Sequence, residues 1–262
     1  MTLRNRQGLY DPQDERDACG FGMVAQLDDQ PSRLLVDTAI AALSRMTHRG
    51  GVAAGGLTGD GCGLLLRKPT AFLRRLAEEA GIAPGPNFAA GVVFLPHDAQ
   101  AAQRCRDELD ARLRDAGCAP RGWRVVPTDA GVCGELARAT LPRIEQVFVD
   151  AGPAQSAEQF ALALFLARRR SEQALRDVAD YYVTTLSAEA ISYKGMVLPD
   201  KLSTFYPDLQ RHELASSVVV FHQRFSTNTL PRWPLAHPFR MLAHNGEINT
   251  IEGNRHWAQA RS

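Results

Sequence analysis

The sequence predicts a layered α+β domain. Strand-type runs rich in β-branched and aromatic residues alternate with amphipathic helical runs, in pairs rather than as strict strand–helix–strand units. The 262 residues suffice for one large domain or two small ones with a substantial core. Apolar residues make up 45% and charged residues 23%, the balance of a globular chain, and no linker, repeat or low-complexity tract divides it.

Residues 1–18 mix acids and bases around Gly8 and Pro12, without usable periodicity. They contain no apolar stretch of the kind a secretory signal needs. A short strand is expected from Phe21 to Leu27. After Pro31 and Ser32 the apolar residues Leu35, Val36, Ala39, Ile40, Leu43 and Met46 mark an amphipathic helix, stopped at "THRGG" by Gly50 and Gly51. The glycine-rich "GGVAAGGLTGDGCG" leads into a strand at "LLLRK", and Thr70 is expected to cap a helix reaching about Ala80. "FAAGVVFL" is a buried strand and a charged helix follows over residues 97–116. "WRVVP" and "IEQVFVD" are further strands. Ser156 and Gln159 form a capping box for a long helix reaching about Val178. "DYYVTTLS" and "SSVVVFHQRF" are strands, and "RMLAHNGEINTIEGNRHWAQARS" is a strand, a turn and the opening of a helix.

A formal net charge of +1 gives no electrostatic ground for a nucleic-acid or membrane partner. The longest apolar run, Phe160 to Ala167, is far short of the ~20 residues of a membrane span. Cysteines 19, 62, 105, 118 and 133 form an odd, scattered set with no CxxC pair, which speaks against a disulfide framework and a zinc site. A cytoplasmic protein is expected.

Cys19 stands where the charged leader ends and the first strand begins, in front of Gly-Phe-Gly. As a packing residue it would be a small buried hydrophobe. As a nucleophile freed by removal of residues 1–18 it would own an α-amine of pKa about 7.7–8.0, able to take the thiol proton near neutral pH. Arg49 in "HRGG" satisfies helix carbonyls on the plain reading. "GDGCG" lacks the spacing and the Lys-Ser/Thr of a phosphate loop, and Cys62 within it reads as structural. Asn245-Gly246 would be an ordinary hairpin turn or, functionally, the two donors of an oxyanion hole. Arg224 would be a surface cation or a clamp for a substrate carboxylate.

Taken together, "CGFG", "THRGG", "TGDGCGLLL" and "FHQRFSTNTLPRWPLAHPFRMLAHNGEINTIEGN" resemble, in this order, the N-terminal glutamine amidotransferase domain of the glutamate synthase large subunit. The resemblance runs from about Tyr10 to the last residue, strongest at both ends, and extends to the class II, N-terminal nucleophile amidotransferases at large. It implies a four-layer αββα sandwich of two mostly antiparallel sheets, with residues 1–18 as a propeptide and 19–262 as the amidotransferase domain. It implies that Cys19 attacks the glutamine amide with its own α-amine as base, Asn245 and Gly246 stabilise the oxyanion, Arg224 pairs with the substrate carboxylate, and Arg49 lines the pocket. Ammonia would pass to a synthase part carrying FMN and an iron–sulfur cluster, with an electron-donating small subunit or ferredoxin as partner, and glutamate would be made from 2-oxoglutarate.

One feature of such enzymes, an acidic residue in a Ser-Asp motif downstream of His-Asn-Gly that holds the substrate amine, has no counterpart before Ser262. The chain is therefore expected to be a truncated or split large subunit. Two other readings stand beside the glutaminase: a different class II amidotransferase, which would usually begin at the cysteine after Met1, and a fragment that binds glutamine or a partner without turnover.

Overall fold

The structure, a computed structural model, describes residues 20–53, 55–223, 230–239 and 252–261. Its elements are β1 (Phe21–Ala25), α1 (Arg33–Ser44), β2 (Cys62–Arg67), α2 (Thr70–Glu79), β3 (Phe88–Leu95), α3 (Ala99–Asp115), β4 (Ala119–Val125), α4 (Glu135–Ala139), β5 (Arg143–Asp150), α5 (Ala157–Ala174), β6 (Tyr182–Ser187), β7 (Ala190–Gly195), α6 (Leu202–Phe205), β8 (Val218–Gln223) and α7 (Glu252–Arg261). Among the described residues the strands form two four-stranded sheets, ordered β1-β8-β2-β7 and β4-β5-β3-β6, and every pairing is antiparallel. This is the expected layered α+β arrangement of two antiparallel sheets with helices. The short step from β6 to β7 carries the chain from the second sheet into the first.

Strand alternation sorts the second sheet between two cores. Ala89, Val93, Leu95, Val147 and Val149 face α3 and α5, where Cys105, Leu109, Leu113, Phe160, Leu164 and Ala167 are buried with them. The alternate residues Phe88, Ala90, Val92, Phe94, Ile144 and Phe148 join a larger core with Leu64, Leu66, Ile191, Tyr193, Val219 and Phe221 of the first sheet and Leu35, Val36, Ala39 and Leu43 of α1. Arg124 on β4 meets Asp208 with two hydrogen bonds of 2.9 and 3.1 Å in nearly complete burial, tying the second sheet to the turn before β8. Both charges are paired, which such burial requires.

Several boundaries differ from the sequence expectation. The Ser156–Gln159 capping box forms, but α5 stops at Ala174, before Val178. Thr70 is the first residue of α2 rather than its cap; Pro69 holds the cap position, with no side-chain bond. The first strand ends at Ala25, because the chain turns through Asp29, whose φ is 57°. β4 begins at Ala119, before the apolar "WRVVP". α4 and β7 were not foreseen. α4 is a single short turn, and β7 carries Lys194 and Gly195 in a strand that burial rather than propensity fixes. The expected strand and turn at 240–251, and residues 1–19, lie outside the described residues; the helix beyond them is α7.

Candidate active site

The described parts of three quoted motifs, residues 20–22, 47–51 and 58–62, meet Gln223 at one end of the first sheet. Gln223 donates its backbone N–H to the Gly20 carbonyl at 2.5 Å, closing the β1–β8 ladder in which Phe21 faces His222. Gly20 follows Cys19 and Gln223 precedes Arg224, so the residues adjoining the expected nucleophile and the expected clamp are hydrogen-bonded to each other. On the other flank of β8, Gln223 is paired with Cys62, the first residue of β2. The turn into β2 passes through Gly61 at φ 101°, a conformation open to glycine and strained for other residues.

The "THRGG" segment is pinned to that turn. Asp60 accepts the Gly51 N–H on Oδ2 at 2.6 Å and returns its own N–H to the Gly51 carbonyl at 3.1 Å, and Val52 bridges Gly59. Arg49 ends a 3-10 turn, Thr47–Arg49, and is half-buried beside this ribbon. The next residue must be small: a Cβ on Gly50 would lie 2.0 Å from Nε2 of Gln223. The stop glycine of the sequence reading is thus also a packing glycine, and it seats the Arg49 turn on the end of β8.

Cys62 is fully buried and its thiol donates to the Val197 carbonyl at 3.3 Å. Burial, with the charge of Asp200 adding, pushes this thiol far above its usual range, so it stays protonated and unreactive. The structural reading of Cys62 fits this environment.

Beside the ladder lies a group of basic side chains, Lys194 buried and His222 and His237 half-buried. The rings of His222 and His237 approach to 4.4 Å between centroids, and Lys194 donates to the Pro234 carbonyl at 3.0 Å, with its ammonium over the rings of Phe239 and Tyr182. Burial, reinforced by His237, lowers His222 to about 3; burial, reinforced by Lys194, lowers His237 to about 4. Both imidazoles are therefore neutral and weakly basic at pH 7, poor acceptors for a thiol proton. Burial, with Arg168 adding, brings Lys194 down to about 7.

Lys194 makes a pH prediction. The unfolded chain holds this proton up to its ordinary value of 10.5 and the folded chain only up to about 7. In between, the unfolded state binds more protons, so this residue makes stability rise with pH across that window. Lys194→Met is expected to remove that contribution to the rise. Denaturant midpoints near pH 7 and pH 10 measure it, and an unchanged slope in the variant contradicts the burial cost assigned to Lys194.

Of the five residues singled out from the sequence, the structure describes Arg49 alone; Cys19, Arg224, Asn245 and Gly246 lie outside the described residues. Sequence reading missed Gln223, His222, His237 and Lys194. For Gln223 a signal existed: in "VVVFHQ" it falls in phase with the buried Val219 and Phe221, a polar amide at a core position. It is fully buried, and neither Oε1 nor Nε2 has a hydrogen-bond partner among the described residues, a desolvation cost of about 1–3 kcal/mol for each group left unpaired.

The class II glutamine amidotransferases match this chain over residues 19–262. Over 257 residues it is 47% identical to the large chain of an NADPH glutamate synthase of Azospirillum brasilense, covering 96% of this chain and 17% of that protein. It is 36% identical to the corresponding large chain of Bacillus subtilis (strain 168), again covering 17% of that protein and 97% of this chain. With the chloroplastic ferredoxin-dependent glutamate synthase of Oryza sativa subsp. japonica it shares 40% over 252 residues, 94% of this chain and 16% of that one. The chain thus spans 16–17% of the length of these curated relatives. The family match covers the ribbon of Arg49, the ladder of Gln223 and the buried β2 entry alike, and the chain belongs to the class II glutamine amidotransferases.

Proposed function

We propose that this chain is the glutaminase part of a glutamate synthase, converting glutamine and water to glutamate and ammonia through a thioester on Cys19. The observation that carries the reading is the Gly20–Gln223 pairing with Gly50 seated against it, which draws the segments adjoining Cys19, Arg49 and Arg224 to one end of one sheet. The family match opens at Cys19, which favours residues 1–18 as a removable leader and 19–262 as the amidotransferase domain.

In this mechanism the Cys19 thiol gives its proton to its own α-amine, and the sulfur attacks the side-chain amide carbon of glutamine. Asn245 and the Gly246 N–H take the charge of the tetrahedral oxygen. The protonated α-amine returns the proton to the departing nitrogen, ammonia leaves, and water cleaves the thioester to glutamate. The low basicity of His222 and His237 favours the α-amine over either imidazole as base. Arg49 lines the pocket and Arg224 pairs with the α-carboxylate.

The ammonia then serves a synthase part of the parent enzyme, which holds FMN and an iron–sulfur cluster and draws electrons from a small subunit or ferredoxin. An iron–sulfur cluster does not fit the described residues: their cysteines, 62, 105, 118 and 133, are each buried, and no group of three or more His, Cys, Asp or Glu among them could hold a metal ion. No step of glutamine hydrolysis runs through either group. No described helix is long and apolar enough to cross a membrane, and the cytoplasm is the proposed location.

Arg224→Ala tests the pocket. Loss of a charge-assisted pair to the carboxylate should raise KM for glutamine about tenfold or more while kcat changes little. A variant with unchanged KM contradicts the role of Arg224.

A further inference from the structure

One buried side chain at this site has no role in the mechanism above. Gln223 is fully buried on the apolar phase of β8, where Val219 and Phe221 precede it, yet it is an amide. An amide offers two donors and an acceptor oxygen with two lone pairs. Buried polar groups in native proteins are nearly always paired, but Oε1 and Nε2 here have no partner among the described residues. Steric filling alone does not call for an amide, since leucine or methionine would fill similar space. The side chain lies against Gly50, next to Arg49, while its backbone N–H holds Gly20.

We propose that Gln223 is a positioning residue of the glutamine pocket, whose unspent amide hydrogen bonds are completed when glutamine binds, fixing the Arg49–Gly50 turn against the strand that leads into Arg224. This inference rests on the glutaminase reading and deepens it. A neutral amide suits the place: it can donate or accept, and it puts no charge beneath the Arg49–Gly50 turn.

The test separates an amide kept for the ligand from one kept for the fold. In the full chain from Cys19 onward, carrying Cys19→Ala to prevent turnover, L-glutamine is titrated calorimetrically into the parent, Gln223→Leu, Gln223→Met and Arg224→Ala. Both Gln223 variants should bind glutamine at least tenfold more weakly, while their Tm equals or exceeds that of the parent, because each removes unpaired polar atoms from the core. Unchanged affinity in a folded Gln223→Leu or Gln223→Met protein overturns the inference alone. So does unfolding of both variants, which would make the amide a structural group. A parent that binds no glutamine overturns the glutaminase reading and this inference together.

Discussion

Protein that still carries residues 1–18 is expected to release no ammonia from glutamine, whereas the same chain begun at Cys19 is active. With the leader attached, the nitrogen of Cys19 is an amide and cannot accept a proton near pH 7. The thiol, at its ordinary pKa of about 8.5, is then only a few per cent thiolate. No acid is poised to protonate the leaving nitrogen either. Release of the leader creates an amine of pKa about 7.7–8.0, close to the thiol's own, so that the proton moves between them at little cost. The half-buried imidazoles of His222 and His237 are poor substitutes for it, lowered as they are to about 3 and about 4. Cys19→Ala should abolish turnover, and Cys62→Ala should spare it, since the Cys62 thiol is sealed in the core. Ammonia release by both forms, each verified by intact mass, measures this. Equal activity with and without the leader contradicts the mechanism.

Asn245→Ala carries the other large effect. An oxyanion donor works on charge that exists only in the tetrahedral intermediate, so its loss should lower kcat by about 10²–10³ and leave KM within a few-fold. Steady-state kinetics on the leader-free chain give both parameters. A rise in KM with kcat unchanged would make Asn245 a binding residue instead. Under the proposed roles Arg224→Ala should instead place the loss in KM, and that contrast would separate binding from oxyanion stabilisation.

Much of the fold was legible in the sequence because local patterns were strong. The apolar spacing from Leu35 to Leu43 produced α1, the Ser156–Gln159 box opened α5, and "FAAGVVFL" became a strand buried on both faces. β7 was not legible: Lys194 and Gly195 read as polar and flexible, and the strand exists because β2 pairs with it along its whole length. At the site, the motifs named their segments but not how they meet. Gly50 looked like a helix stop, and its second role, leaving room for Gln223, depends on a residue 173 positions away, which no local pattern records. The same holds for Lys194, whose environment is built by Pro234, Phe239 and Tyr182 from other parts of the chain.

The thioester tests the account most directly. Leader-free protein turning over glutamine, quenched in acid and digested, should yield a glutamyl adduct, glutamine less ammonia, on the peptide beginning at Cys19 and on no peptide containing Cys62, Cys105, Cys118 or Cys133. Digestion at low pH keeps the acyl group on sulfur, since near neutral pH it would migrate to the adjacent α-amine. An adduct on another cysteine, or sustained turnover by a Cys19→Ala chain, would contradict the assignment of Cys19 as the nucleophile.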